Sequence, residues 1–380
     1  MNGDTEGDDR YPGLPAHVQS IVRGLADESV VGTAMFDRVR KRLPGLIWEI
    51  LEEGRRHEDL LDVEGQAVNG DILYLKQYRG RFLRFCPGTR EYNCCGYRIV
   101  HIGENCPLAC SYCILQAYFQ DRVLKVWANQ GDLFAELDRA FGADPRKRFR
   151  VGTGEFTDSL VLECLTGYSR DLVGFLGAYE NVCLELKSKI VDLSWMEAVA
   201  RPDRVLPAWS LNSPQVRQSE ELGGASLEER LAAAKICAQN GFRVCLHFDP
   251  IIRHPGWREG YTRTVEAIFD HLRPENIAYV SLGSFRFMPA LKGVIEENFP
   301  DSTYIYDEFI TGLDGKQRLL RPLRVEQLEF VAGRLRAGGL DRQLYMCMES
   351  NEVWRSVLGY TPADLGGLSR HLMAQAFQDV

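Results

Sequence analysis

The sequence has no apolar stretch long enough to span a bilayer, so a transmembrane helix is not expected. Its start, "MNGDTEGDDRYPG", has neither the basic residues nor the apolar run of a secretory leader and reads as a solvated acidic tail. A cytoplasmic location is therefore expected, where thiols stay reduced. Internal repeats and low-complexity linkers are missing. So is any excess of positive charge: 45 Lys and Arg against 53 Asp and Glu leave a net −8, the opposite of a protein that coats nucleic acid. The basic runs "RGRFLRF" (79–85) and "DPRKRFR" (144–150) read as solvated edges or as local grips on phosphate. An apolar fraction of 45% excludes wholesale disorder, and 380 residues can bury one large core with appendages, or two domains.

Cysteine, by contrast, is plentiful, with eleven residues. In a reducing compartment these are ligands or small buried side chains rather than a disulfide framework. Three of them, Cys106, Cys110 and Cys113, stand in "ENCPLACSYC", a polar, Pro-containing turn sequence unlike core. A 4Fe–4S cluster normally takes four thiolates, so three in one loop would leave one iron open to a substrate or cofactor group. The competing readings are three packed cysteines or a zinc site. Closed zinc sites usually pair two CxxC knuckles; no second knuckle is present, and Cys94 and Cys95 are directly adjacent. Cys86, Cys94, Cys95 and Cys347 read as packed core residues.

From about residue 97 the chain alternates short apolar runs with helical patterns. Strands are expected at 97–103, 148–154, 181–187, 205–211, 242–248 and 277–283. Helices are expected near 130–142, 158–178, 192–200, 226–240, 260–272 and 289–298. Ser226 and Glu229 form a capping box, Leu227, Leu231, Ala234 and Ala238 form an apolar stripe, and Gly241 ends that helix. The run "QLYMCMES" with "NEVWRSVLG" reads as a further buried strand and helix. Six β–α units in series imply a parallel α/β sheet, either a partial β/α barrel or an open doubly wound sheet, with ligands at the C-terminal strand ends. The expected organisation is an N-terminal extension (1–90), the β/α core (91–300) and a C-terminal extension (301–380).

Several strand ends carry polar groups that suit a ligand. Gly152 and Gly154 in "VGTGEFTDSL" let backbone approach closely, and Glu155 can accept from an ammonium. Lys187 and Lys189 share one face of the third strand, and Ser210 and Asn212 share one face of the fourth. His247 and Asp249 are also two apart, but such a pair is as commonly a satisfied core contact and is given no role.

A CxxxCxxC motif with an aromatic before its last cysteine, after the first strand of a β/α series, resembles the radical S-adenosylmethionine superfamily. The resemblance implies a partial (β/α)6 barrel and a 4Fe–4S cluster on Cys106, Cys110 and Cys113. The open iron would chelate the methionyl amino and carboxylate groups of S-adenosylmethionine. One electron, from a flavodoxin- or ferredoxin-type partner, would then cleave the sulfonium to a 5′-deoxyadenosyl radical. Gly152, Gly154 and Glu155 occupy the place of the superfamily's Gly-Gly-Glu motif.

More narrowly, "CSYCILQAYF", "GEFTDSL", "KSKIVDL", "WSLNS", "ASLEERLAAAKICAQNGF" and "PIIRHPGWREGY" are similar, in order and spacing, to the spore photoproduct lyase family over residues 95–330. That family repairs a methylene-bridged thymine dimer in DNA, with a cysteine returning hydrogen and tyrosines assisting. The resemblance implies that Thr157, Lys189 and Ser210 contact S-adenosylmethionine and that Tyr112 matches a tyrosine of the relay. Three departures stand out. Glu155 replaces the hydrogen-donating cysteine, Ile114 replaces the second tyrosine, and "KQRLLRPLR" (316–324) keeps the basic residues of the substrate region without its tyrosine. The expected function is thus lyase-like radical chemistry, with DNA or with a peptide or small molecule as substrate. A non-catalytic iron–sulfur or zinc protein is the alternative of another class. The oligomeric state is not expressed in the sequence.

Overall fold

The computed structural model describes residues 10–61, 71–119 and 121–378. Most of the acidic start expected to be a tail therefore lies outside the described residues. The centre is an eight-stranded sheet. Its parallel strands are β1 (Arg98–Val100), β2 (Phe149–Gly152), β3 (Val182–Ser188), β4 (Val205–Ser210), β5 (Val244–Ile251), β6 (Ile277–Ser284) and β7 (Leu344–Met346). They neighbour one another in chain order, and Leu83–Phe85 closes one edge antiparallel to β1. Every residue of β4 and β6 is buried, as expected of a parallel sheet covered by helices. The sheet is the curled half-barrel that six β–α units imply, with β7 as a seventh parallel strand.

The intervening helices follow the apolar periodicity: α1 (Gln130–Gly142), α2 (Tyr168–Leu176), α3 (Leu227–Gln239), α4 (Trp257–His271) and α5 (Pro289–Asn298). In α3 the capping box is complete, with Glu229 N–H donating to Ser226 Oγ at 3.2 Å and Ser226 N–H to Glu229 Oε2 at 2.7 Å. Three expectations need correction. The helix expected near 192–200 is only a five-residue 3-10 helix, Ser194–Ala198. The strand expected over 97–103 is two pieces. Arg98–Val100 joins the barrel, while Gly103–Glu104 pairs with Leu124–Trp127 in a separate five-stranded sheet otherwise built from residues before 77. The helix expected over 158–178 breaks at Gly167, and residues 153–162 form a loop organised by Asp158. That carboxylate accepts from Leu160 N–H, Val161 N–H, Ser188 Oγ–H and Lys189 N–H at 2.7–3.1 Å, so it ties the loop after β2 to the end of β3.

Beyond residue 300 the chain makes α6 (Arg321–Ala337) and α7 (Asn351–Leu358), and contributes Phe309–Thr311 and Gln317–Leu319 to a three-stranded antiparallel sheet with Arg286–Phe287. The periodicity did not reveal α6 because its inner face includes Arg324 and Gln327 beside Leu328, Val331 and Leu335. No helix among the described residues is long and apolar enough to cross a membrane.

Candidate active site

A cavity of about 530 Å³ opens at the C-terminal ends of the barrel strands, where α/β scaffolds place their chemistry. Cys106, Cys110 and Cys113 stand on its wall, on the loop that follows the Gly103–Glu104 strand. Two non-glycine residues of this loop, Asn105 (φ 69°) and Ala109 (φ 48°), adopt left-handed backbone. For alanine this costs about 1–2 kcal/mol, so the surrounding contacts over-determine the loop.

Those contacts come from the end of the helix Pro214–Glu220, which follows β4, and from the turn after it. Cys110 pairs with Glu221 in an isolated bridge, Ser111 N–H donates to Glu220 O at 3.0 Å, and Gly223 N–H donates to Leu108 O at 3.1 Å. Ser111 Oγ–H donates to the Glu220 carboxylate at 2.6 Å. Tyr112 Oη–H donates to Glu221, whose other oxygen receives Arg230 at 2.6 Å, and Arg230 also donates to Ser210 O at 2.7 Å. Arg230 and Glu221 are fully buried. Burial alone would raise the Glu221 carboxyl, yet the Arg230 and Lys189 charges and two hydrogen bonds hold it below its ordinary value. Glu220 and Glu221 escaped sequence reading because "QSEELGG" looks like the solvated end of a helix, and Arg230 because a charged residue in α3 reads as solvent-facing. Only their burial reveals them.

Burial pushes all three loop thiols up, Lys189 opposing this at Cys110 and Cys113. The Tyr112 hydroxyl is pushed well up, first by burial and then by the Glu221 charge. Lys189 lies 5.6 Å above the Tyr112 ring. Neutral, buried thiols ionise when a metal replaces their protons, so the donor set suits a thiolate-bound metal group.

The other residues singled out in the sequence divide into two groups. Gly154, Glu155, Thr157, Lys189 and Ser210 join Tyr112 and the loop thiols on the cavity wall. Gly152 and Asn212 do not. A Cβ on Gly152 would lie 1.6 Å from Tyr97 Oη, so that glycine makes room for a buried phenol rather than for a ligand. Asn212 is buried, donates to Pro250 O at 3.1 Å and accepts from Tyr261. Gly154 serves two ends, since a Cβ there would meet Lys187 O at 2.9 Å. Glu155 forms an ion pair with Lys187 at 2.9 Å; burial would lower the lysine, but the carboxylate carries it upward overall. His247 Nε2 lies 3.1 Å from the Glu185 carboxylate and Asp249 pairs with Arg286 at 3.1 Å, and both residues line the cavity.

Cys86, read above as a packed core residue, instead lines this cavity, as do Lys316 from the basic run 316–324 and Arg286 and Met348, which the sequence did not single out. Of the basic residues in 316–324, Arg318 is spent on Asp314 at 2.7 Å and Arg324 on Glu349 at 2.8 Å, both pairs buried. Arg150, from the other basic run, is buried beside Glu185. Cys94, Cys95 and Cys347, read above as separate packed residues, converge. Among the described residues theirs is the only group of three potential metal ligands whose donor atoms all lie within 4.8 Å of one another. The loop thiols do not all lie within that distance of one another, and a cluster that takes one thiolate per iron does not ask it of them.

A curled parallel half-barrel with three cysteines at its mouth defines a protein of the radical S-adenosylmethionine fold class. The sequence profile of the spore photoproduct lyase family matches residues 93–311, and the chain belongs to that family. It is 24% identical over 212 residues to the spore photoproduct lyase of Geobacillus sp. (strain Y412MC61), covering 55% of this chain and 62% of that protein. To the lyase of Bacillus subtilis (strain 168) it is 23% identical over 213 residues, again 55% of this chain and 62% of the relative. The match thus spans less than two thirds of the length of these curated relatives. A solved spore photoproduct lyase complexed with dinucleoside spore photoproduct superposes with a TM-score of 0.72 at 19% identity, over 87% of this chain and 99% of that one. A variant with bound AdoMet and the same dinucleoside gives 0.73 at 18% identity, with the same coverage.

Proposed function

We propose that this chain is a radical S-adenosylmethionine enzyme of the lyase type, acting on a thymine-dimer lesion in DNA. The observation that carries this reading is the meeting of Cys106, Cys110 and Cys113 with Gly154, Glu155, Thr157, Lys189 and Ser210 on one cavity wall. The three thiols would hold a 4Fe–4S cluster, and the strand-end groups would hold S-adenosylmethionine. Once bound and reduced by a one-electron donor of the flavodoxin or ferredoxin type, that pair supplies a 5′-deoxyadenosyl radical. The solved relative that carries AdoMet and a dinucleoside together supports the placement of both in one cavity. A lesion in duplex DNA would leave the stack to enter, at a cost of a few kcal/mol that is least for a damaged step. All eleven cysteines are free thiols, which supports a reducing, cytoplasmic setting.

The chain's own residues set the limits of the chemistry. Glu155 stands where the family's donor cysteine falls, and it is held by Lys187. A carboxylic O–H does not yield a hydrogen atom to a carbon radical as a thiol does. Cys86 is the thiol outside the three-cysteine loop on the cavity wall, and it lies on the side of the Glu155–Lys187 pair. Its place on that wall supports Cys86 as the hydrogen donor in place of the missing cysteine. A second reading, a peptide or small-molecule substrate, is favoured by the inward commitment of Arg150, Arg318 and Arg324, which leaves fewer cations for phosphate.

The test is anaerobic reconstitution with iron and sulfide, followed by dithionite and S-adenosylmethionine. Brown protein releasing 5′-deoxyadenosine is expected, with Cys113→Ala losing both colour and release. Restoration of thymines from dinucleotide spore photoproduct supports the DNA reading. Uncoupled release without repair transfers support to the second reading. Protein that takes up no iron, or cleaves nothing, leaves only a non-catalytic metal-binding role.

A further inference from the structure

The thiols of Cys94, Cys95 and Cys347 come from segments more than two hundred positions apart, yet their sulfurs lie within 4.8 Å of one another. The loop and strand end that bring them are fastened together. Asn93 N–H donates to Glu349 O at 3.1 Å, Met348 N–H returns a bond to Asn93 O at 2.8 Å, and Asn93 Nδ2 reaches Asn351 Oδ1 at 2.9 Å. Met348, next to Cys347, holds left-handed backbone at φ 57°. Arg318 donates to Met348 O at 2.9 Å and lies 4.0 Å over the Tyr92 ring, so one buried cation clamps both segments. Such convergence from two directions is more than packing of small side chains requires.

Around a tetrahedral ion with metal–sulfur bonds of about 2.3 Å, neighbouring sulfurs lie about 3.8 Å apart, which a group confined within 4.8 Å can meet. A multi-iron cluster would spread its thiolates further. Three thiolates carry more charge than one divalent ion neutralises, and Arg286, which also pairs with Asp249, lies near enough to Cys347 to share part of the excess. Cys94 and Cys347 are half-buried, so solvent has a route to a fourth position. We infer that Cys94, Cys95 and Cys347 form a second metal site, separate from the three-cysteine loop, that binds a single soft divalent ion of the zinc type.

The site does not depend on the radical chemistry proposed above, and its test separates the two. Holoenzyme purified and reconstituted anaerobically with zinc present is analysed for both metals and by X-ray absorption at the zinc edge. One zinc per chain in a sulfur shell near 2.3 Å is expected beside the iron of the loop cluster. Cys94→Ser with Cys347→Ser should lower zinc at least tenfold while iron content and 5′-deoxyadenosine release stay within twofold. The triple Cys106→Ala, Cys110→Ala, Cys113→Ala variant should lose iron and keep zinc. Wild-type protein without zinc, zinc in an oxygen or nitrogen shell, or zinc lost with the loop cysteines overturns the inference. So does a disulfide among the three thiols in anaerobic protein, read by mass spectrometry. Because the sulfur shell is measured on the wild type, a variant that fails to fold does not decide the outcome.

Discussion

Arg230 shows how one side chain holds the site together. It neutralises Glu221, which receives the Tyr112 hydroxyl, and it fastens the end of β4 through Ser210 O. Arg230→Met would leave the Glu221 carboxylate buried without its cation, and about 3–5 kcal/mol of stability should be lost, readable by chemical denaturation. Glu185 provides the pH counterpart. Burial would raise its carboxyl, but His247, Arg150 and the Tyr279 hydroxyl hold it at about 2, against an ordinary 4.5. A carboxyl depressed in the folded state stabilises fully above its unfolded value and loses that contribution as pH falls through the folded one. Melting temperature should therefore drop between pH 4.5 and 2. Glu185→Gln should flatten that slope; an unchanged slope would show that other carboxyls govern acid unfolding.

At the scale of the element, α3 is the clearest case of sequence dictating structure. Ser226, Glu229 and the stripe through Leu231 and Ala234 set its start and its inward face, and the capping box is closed as the sequence requires. Ser226→Ala should cost about 1 kcal/mol, measured by thermal melts, with any cleavage of S-adenosylmethionine unchanged because Ser226 does not line the cavity. The loop of residues 153–162 behaves differently. Its apolar residues suit a helix, but Asp158 collects donors from its own loop and from β3, and so fixes an irregular path that brings Gly154, Glu155 and Thr157 to the cavity. Local periodicity cannot express a preference that depends on a strand end thirty residues later.

Across the whole molecule, the segment after residue 300 completes both the sheet and the cavity. β7 extends the parallel sheet, Lys316 and Met348 line the cavity, and Cys347 meets Cys94 and Cys95. The final helix (Leu368–Phe377) covers the base of the barrel, where Phe377 is buried between Arg148 at 4.8 Å and Arg204 at 4.9 Å. Phe377→Ala should cost about 3–5 kcal/mol and loosen β3, since Cys183 on that strand also contacts this helix. Hydrogen exchange along Val182–Ser188 would read that loosening; protection equal to wild type would place the helix outside the cooperative core.

By itself the sequence determined the features that depend on near neighbours. These are the barrel strands in their order, the cap and stripe of α3, and the spacing that places three thiols in one loop. It also showed that Glu155 stands where a donor cysteine is expected. Tertiary structure alone decided what arises from distant segments meeting. It buried Arg150, Arg318 and Arg324 in ion pairs, made Glu220 and Glu221, at the end of the helix Pro214–Glu220, into anchors of the cysteine loop, and set Gly152 and Asn212 off the cavity wall. It also gathered Cys94 and Cys95 with Cys347. Propensity and periodicity act within a few residues, whereas a buried charge pair or a shared metal site is chosen by the packing of the whole chain.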